Sequence, residues 1–167
     1  MRLCSSLLMV VFAKIMVAFD GSEPSLFALE RAAQLAHEGG SELTLLIVVP
    51  DLPPLAVEEF APANFPVYFE DLQKAAKEML DKQDGEIKER YPGLKTVPLV
   101  MRGNPGKVIV FAAAARDVDL IVVGNRGSGG IMSWMLGSVS RQVVESCTVP
   151  VLVVKDERFC VAEPGVV

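Results

Sequence analysis

Between residues 124 and 140 the chain gathers its densest run of small and polar groups. Gly124-Asn125-Arg126-Gly127-Ser128-Gly129-Gly130 comes first, and Gly137-Ser138-Val139-Ser140 follows after a short apolar stretch. A glycine has no Cβ, so main-chain N–H groups beside it can approach a bound group closely. Gly137-Ser138-Val139-Ser140 has the make-up of a helix start. Its first-turn amides and positive dipole end attract an anion. Ser138 and Ser140 add hydroxyl donors. Each charge-assisted hydrogen bond contributes ~1.5–3 kcal/mol, and the dipole a further ~0.3–2 kcal/mol. Several such donors together suit a phosphate chain. A Gly-rich loop and a capped helix without any ligand are the alternative reading. A second polar break, Asp20-Gly21-Ser22, closes the apolar run Val10–Phe19.

Other chemistries fail when their residues are checked. Gly106-Lys107 looks like part of a P-loop, but Met101 stands where the first glycine must be and Val108 where Ser or Thr must be. The dinucleotide pattern GxGxxG, started at Gly127-Ser128-Gly129, puts Met132 at its last glycine. The second apolar run ends in Val49-Pro50-Asp51, with no acidic ribose reader in place. His37 is the sole histidine and lies in the polar stretch Ala36-His37-Glu38-Gly39-Gly40, which gives no Ser-His-Asp or Cys-His site. Cys4, Cys147 and Cys160 have no ligand spacing, so reduced thiols in a cytoplasmic setting are expected. No catalytic residue is assigned.

These residues need elements to position them, and apolar runs alternate with helical patterns throughout. Strands are expected at Val10–Phe19, Glu42–Val49, Thr96–Met101, Asp119–Val123 and Val149–Val154. Helices are expected from Glu23 to His37, Phe69 to Arg90, Asn104-Pro105 to Arg116, and Ser138 to Cys147. Ser22 is the expected cap of the first helix, and Gly39-Gly40 its stop. Pro50–Tyr68 carries five prolines and cannot be one continuous helix; it reads as a functional flap or a tolerated insertion. The resulting β-α-β-α-β-α-β-α-β order predicts an α/β fold, an open five-stranded parallel sheet with helices on both faces. Pro98 has no amide to donate, so the third strand belongs at an edge and the order is 3-2-1-4-5. Winding then reverses between the first and fourth strands, where ligands bind beyond the strand ends. Asp20-Gly21-Ser22 and Gly124-Asn125-Arg126-Gly127 leave those two strands.

With 167 residues, 51% of them hydrophobic, the chain fits one packed domain. It is expected to divide into an N-terminal extension (1–12), the domain proper (13–155) and a C-terminal tail (156–167). A net charge of −5 gives no basic footprint for nucleic acid or membrane. Arg2 and the apolar stretch after it have a weak secretory look, but Ser5 and Ser6 break the run, and Met9 is a plausible first residue. No stretch reaches the roughly 18 to 20 apolar residues of a membrane span.

Gly124, Gly127, Gly137 and Ser138 together satisfy the pattern G-x2-G-x9-G-[ST]. With Lys14–Ser22, Leu43–Val49, Asp119–Gly124 and Val149–Val154, they make the chain resemble the universal stress protein family over about Ala13 to Lys155. The glycine pattern marks the members that bind ATP or related adenine nucleotides. The resemblance implies that Ala18 and Val48 line the adenine side and that Asp20 contacts the sugar. Gly124 and Gly127 would admit ribose and phosphates, and Gly137, Ser138, Val139 and Ser140 would hold the phosphate chain. Arg126 could counter phosphate charge or be an ordinary surface arginine. Trp134 could lie over the site or pack at a subunit contact. Mg2+ or Mn2+ bridging the phosphates would reduce their repulsion. Asp20 is unsuited as a general base if it sits at the sugar end. The chain departs from the family in Ile47, where a histidine is frequent, and in its N-terminal extension. The resemblance also implies a homodimer through the fifth-strand edge, Val149–Val154. The expected function is that of a nucleotide-binding regulatory protein of the stress response. The alternatives are a slow, metal-assisted ATPase and a dimeric scaffold that binds no nucleotide.

Overall fold

The computed structural model describes residues 11–51, 65–126 and 136–155, with side chains from Phe69 onward in the second segment. Strand β1, Lys14–Ala18, is followed by helix α1, Glu23–Gly39, and strand β2, Glu42–Val49. Helix α2 is Phe65–Arg90, strand β3 Lys95–Arg102 and helix α3 Pro105–Ala115. Strand β4, Leu120–Gly124, helix α4, Ser138–Ser146, and strand β5, Val151–Val154, are the last elements among the described residues. All four strand pairings are parallel, in the order β3-β2-β1-β4-β5.

The sheet is buried on both faces, which is why its strands read as continuous apolar runs rather than alternating ones. Ile15, Val17, Leu43, Leu45, Leu120 and Val122 face the side packed by α1 and α2. Met16, Leu46, Ile121 and Val123 face the side packed by α3 and α4, with Ile109, Ala112, Ala113 and Val143. Helix α1 approaches closely because Ala28, Ala32, Ala33 and Ala36 form its buried stripe. Gly40 ends it in the left-handed region, φ 68°, and its N–H turns back to the carbonyls of Ala36 and His37.

Pro98 sits on edge strand β3, opposite Leu45, as its missing amide requires. Several ends differ from expectation. The first strand begins only at Lys14, where the amides of Ala13 and Lys14 donate to the Asp119 carboxylate at 2.8 and 2.9 Å. Helix α2 starts four residues before Phe69, with Pro66 in its first turn, where a missing amide costs nothing. The last strand starts after Pro150, which has no amide to give a ladder. Ser22 occupies the N-cap position of α1 but makes no side-chain cap; its hydroxyl instead donates to Asp20 Oδ1 at 2.6 Å.

Candidate nucleotide-binding cleft

The carboxyl ends of β1, β2 and β4 open into one cleft of about 660 Å³, within the usual range for small-molecule sites. Ala18 and Asp20 come from the end of β1, Val48 from β2, and Gly124 and Arg126 from the end of β4. Gly137, Ser138, Val139 and Ser140 come from the start of α4. Nine residues singled out from sequence therefore line a single cavity, at the place where the winding reverses. Gly127 and Trp134, together with Cys4 and Cys160, lie outside the described residues.

The α4 end of the cleft is set by main-chain bonds. The Gly137 N–H donates to the Asn125 carbonyl at 2.8 Å, which brings the helix start back to the end of β4. The first bond along α4 runs from the Arg141 N–H to the Gly137 carbonyl at 2.9 Å. The amides of Ser138, Val139 and Ser140 precede that bond and so have no partner within the helix. No carboxylate lies in the first turn of α4. The positive end of the helix dipole thus borders the cavity.

Ser140 is a correction to the donor set read from sequence. Its side chain is buried, and its hydroxyl donates to the Gly124 carbonyl at 2.6 Å. That hydroxyl fastens α4 to the end of β4, leaving Ser138 as the cleft-lining serine of this turn whose hydroxyl is not so committed. Gly124 has a packing reason to be glycine as well. A Cβ there would lie 2.7 Å from the Pro24 carbonyl oxygen, a main-chain atom of the first turn of α1. The close approach of β4 to α1 therefore demands glycine even without a ligand.

At the end of β1, Asp20 is held in one orientation. Its Oδ1 accepts from the Ser22 N–H at 3.1 Å and from the Ser22 hydroxyl, while its own N–H donates to Ser25 Oγ at 3.2 Å. Gly21 between them has φ 82°, and a Cβ on it would lie 2.8 Å from the Met79 methyl carbon. A carboxylate accepts hydrogen bonds and repels anions, so this end suits hydroxyl groups rather than phosphate.

The sequence reading did not assign the α2 and α3 walls to the site. Leu72, Ala75, Ala76 and Met79 of α2 line the cleft, as do Pro105 and Ile109 of α3. In the sequence Leu72, Ala76 and Met79 fall along one apolar side of this helix, which does not by itself mark a cavity wall. The rule that ligands sit beyond strand ends applies to β2 and β3 too, and would have pointed to the helices that follow them. Ile47 also lines the wall, so an aliphatic group stands where the resemblance led one to look for an imidazole.

The family model for universal stress proteins matches residues 12–155. The chain belongs to that family. This universal stress protein is 33% identical over 150 residues to universal stress protein YxiE of Bacillus subtilis, covering 87% of this chain and 100% of that one. It spans about half the length of mycobacterial relatives that it also matches. Among solved structures it is similar to UspA from Lactobacillus plantarum, with a TM-score of 0.72 and 28% identity over 86% of this chain and 97% of that chain. It is also similar to a universal stress protein solved in complex with cAMP, with a TM-score of 0.60 and 26% identity over 86% of this chain and 97% of the other.

Proposed function

We propose that this universal stress protein binds an adenine nucleotide, ATP or AMP, at the mouth of its sheet and acts as a regulatory protein of the stress response. One observation carries the reading: the amide-rich start of α4 and the fixed carboxylate of Asp20 border one cleft, whose walls include Ala18 and Val48. Apolar walls suit a base, a carboxylate suits sugar hydroxyls, and helix-start amides suit phosphates. In this reading Ser138, Val139 and Ser140 hold the phosphate chain with their amides, Gly137 starts the turn that presents them, and Gly124 and Gly127 leave room for ribose and phosphate. Arg126 lines the cleft and supplies positive charge. The cAMP complex of a relative supports the adenine preference.

Among the described residues no three His, Cys, Asp or Glu gather into a metal site. The Mg2+ or Mn2+ of this proposal is an ion that phosphate oxygens bring with them. Among the described residues, no helix is long and apolar enough to cross a membrane; a cytoplasmic setting and a homodimer through the β5 edge complete the proposal. A nucleotide regulates by favouring one state of loop or dimer, and only by its difference in affinity for the two.

The test is mass spectrometry of any ligand released from native protein, with calorimetry for ATP, AMP and cAMP. Gly127→Val should abolish ATP binding while the fold is kept. A folded Gly127→Val variant with wild-type ATP affinity would overturn the loop reading. Sustained phosphate release by pure protein would move the assignment to an ATPase.

A further inference from the structure

We infer that Arg102 is a positioning residue for the cleft: by binding Asp51 and Phe69 at once, it fixes the α2 wall against the ends of β2 and β3. The inference deepens the nucleotide reading and rests on it for its ligand. Arg102 is the last residue of β3 and pairs in register with Val49, the last residue of β2. Its Nε donates to Asp51 Oδ1 at 2.8 Å. Its guanidinium carbon lies 3.8 Å from the centre of the buried Phe69 ring on α2.

Each partner adjoins a cleft residue. Asp51 follows Pro50, and Phe69 stands one turn before Leu72; Pro50 and Leu72 both line the cavity, whereas Arg102 does not. The same α2 face continues through Ala76 to Met79, whose thioether rests against Gly21 beside Asp20. One guanidinium therefore sets the spacing between strand ends and helix for the apolar half of the cleft. Arg102 and Asp51 are about half exposed, and an ion pair so exposed adds little stability by itself. The consequence is geometric. A planar guanidinium can accept a carboxylate at its edge and an aromatic ring on its face together, which an ammonium group cannot do.

The experiment titrates full-length wild type, Arg102→Met, Arg102→Lys and Asp51→Asn with adenosine and with ATP. Arg90→Ala, which removes the ion pair with Glu30 near the other end of α2, serves as the control for general loosening. Arg102→Met and Asp51→Asn should each weaken adenosine and ATP by the same factor, about five- to tenfold. The double variant should be no worse than either single one. Arg102→Lys should fall between wild type and Arg102→Met, and Arg90→Ala should leave both affinities unchanged. Loss of ATP affinity with adenosine affinity intact would show that Arg102 acts on phosphate, and would overturn the inference.

The ε-methyl signal of Met79, followed by NMR in methionine-labelled protein without ligand, gives a readout that needs no nucleotide. It should shift in Arg102→Met and Asp51→Asn but not in Arg90→Ala. If wild type binds neither adenosine nor ATP, a shifted Met79 signal upholds the positioning role while the nucleotide reading falls. An unmoved Met79 signal overturns the positioning role whether or not nucleotide binds.

Discussion

Ser140 illustrates how a residue of the right type can serve a site indirectly. Its hydroxyl holds the Gly124 carbonyl, and its N–H is the group that precedes the first bond of α4. Ser140→Ala keeps that N–H and strands a buried carbonyl, which costs about 1–3 kcal/mol. The expected outcome is a lowered denaturation midpoint with ATP affinity changed less than in Gly127→Val; urea unfolding beside calorimetry checks it. A second single-residue prediction concerns pH. The Tyr91 hydroxyl donates to Glu30 Oε1 at 2.7 Å. That hydrogen bond, then burial and the Glu30 charge, raise the phenol above its ordinary 10.0, with Arg90 opposing them. A group held above its unfolded pKa contributes its stability in full below the unfolded value and loses it as pH rises through the folded one. Alkaline unfolding of wild type should therefore steepen above pH 10, the unfolded value. Tyr91→Phe should lack that component, as denaturation curves at rising pH would record.

At the scale of elements, helix α3 depends on a cap that was visible in the residues. Asn104 Oδ1 accepts from the Lys107 N–H at 3.2 Å, and Pro105 takes the first helical position. Asn104→Ala should lower stability by about 0.5–2 kcal/mol, measured by thermal or urea unfolding, and Asn104→Asp should restore most of it. The same kind of signal made the strand order legible. Pro98 announced an edge, and right-handed crossovers left few orders compatible with it, so the reversal point followed. Element ends were less legible, because they depend on contacts distant in sequence. Asp119 reaches back to cap the start of β1, and nothing near Ala13 announces it. Ser22 looked like a helix cap, yet a nearby carboxylate competes for its hydroxyl and wins. The cleft followed the same division. Asp20, Gly124, Arg126 and the helix start Gly137-Ser138-Val139-Ser140 could be named from local pattern, whereas Ala18 and Val48 came only from the family resemblance. The α2 wall could not, since an apolar stripe does not say which part of it faces a core and which a cavity.

For the whole molecule the feature that matters is the sheet edge formed by β5. On the α1 side, Leu152 of β5 is 37% exposed and Leu35 of α1 is 40% exposed, and together with Arg31, Gln34 and Glu38 they border a shallow groove. Among the described residues no strand pairs with the outer edge of β5, and a short, apolar edge of that kind is a template for another chain. A second copy related by a two-fold axis would pair β5 antiparallel with its mate and cover the same residues on both sides. Leu152→Asp puts a charge at the centre of that pairing. Within one chain the side chain is not fully buried, so the fold should survive, with a circular dichroism spectrum like that of wild type. In the dimer two carboxylates would face each other across the axis with no water to separate them. Sedimentation should then show dimers for wild type and monomers for Leu152→Asp at the same concentration. Dimerisation by another surface would leave the variant sedimenting as wild type does. Because the groove lies on the α1 side of β5 and the proposed phosphate site lies at the start of α4, the monomeric variant should keep its ATP affinity in the absence of coupling between the two. A changed affinity would measure that coupling directly, since nucleotide and partner must then alter each other's binding by the same factor.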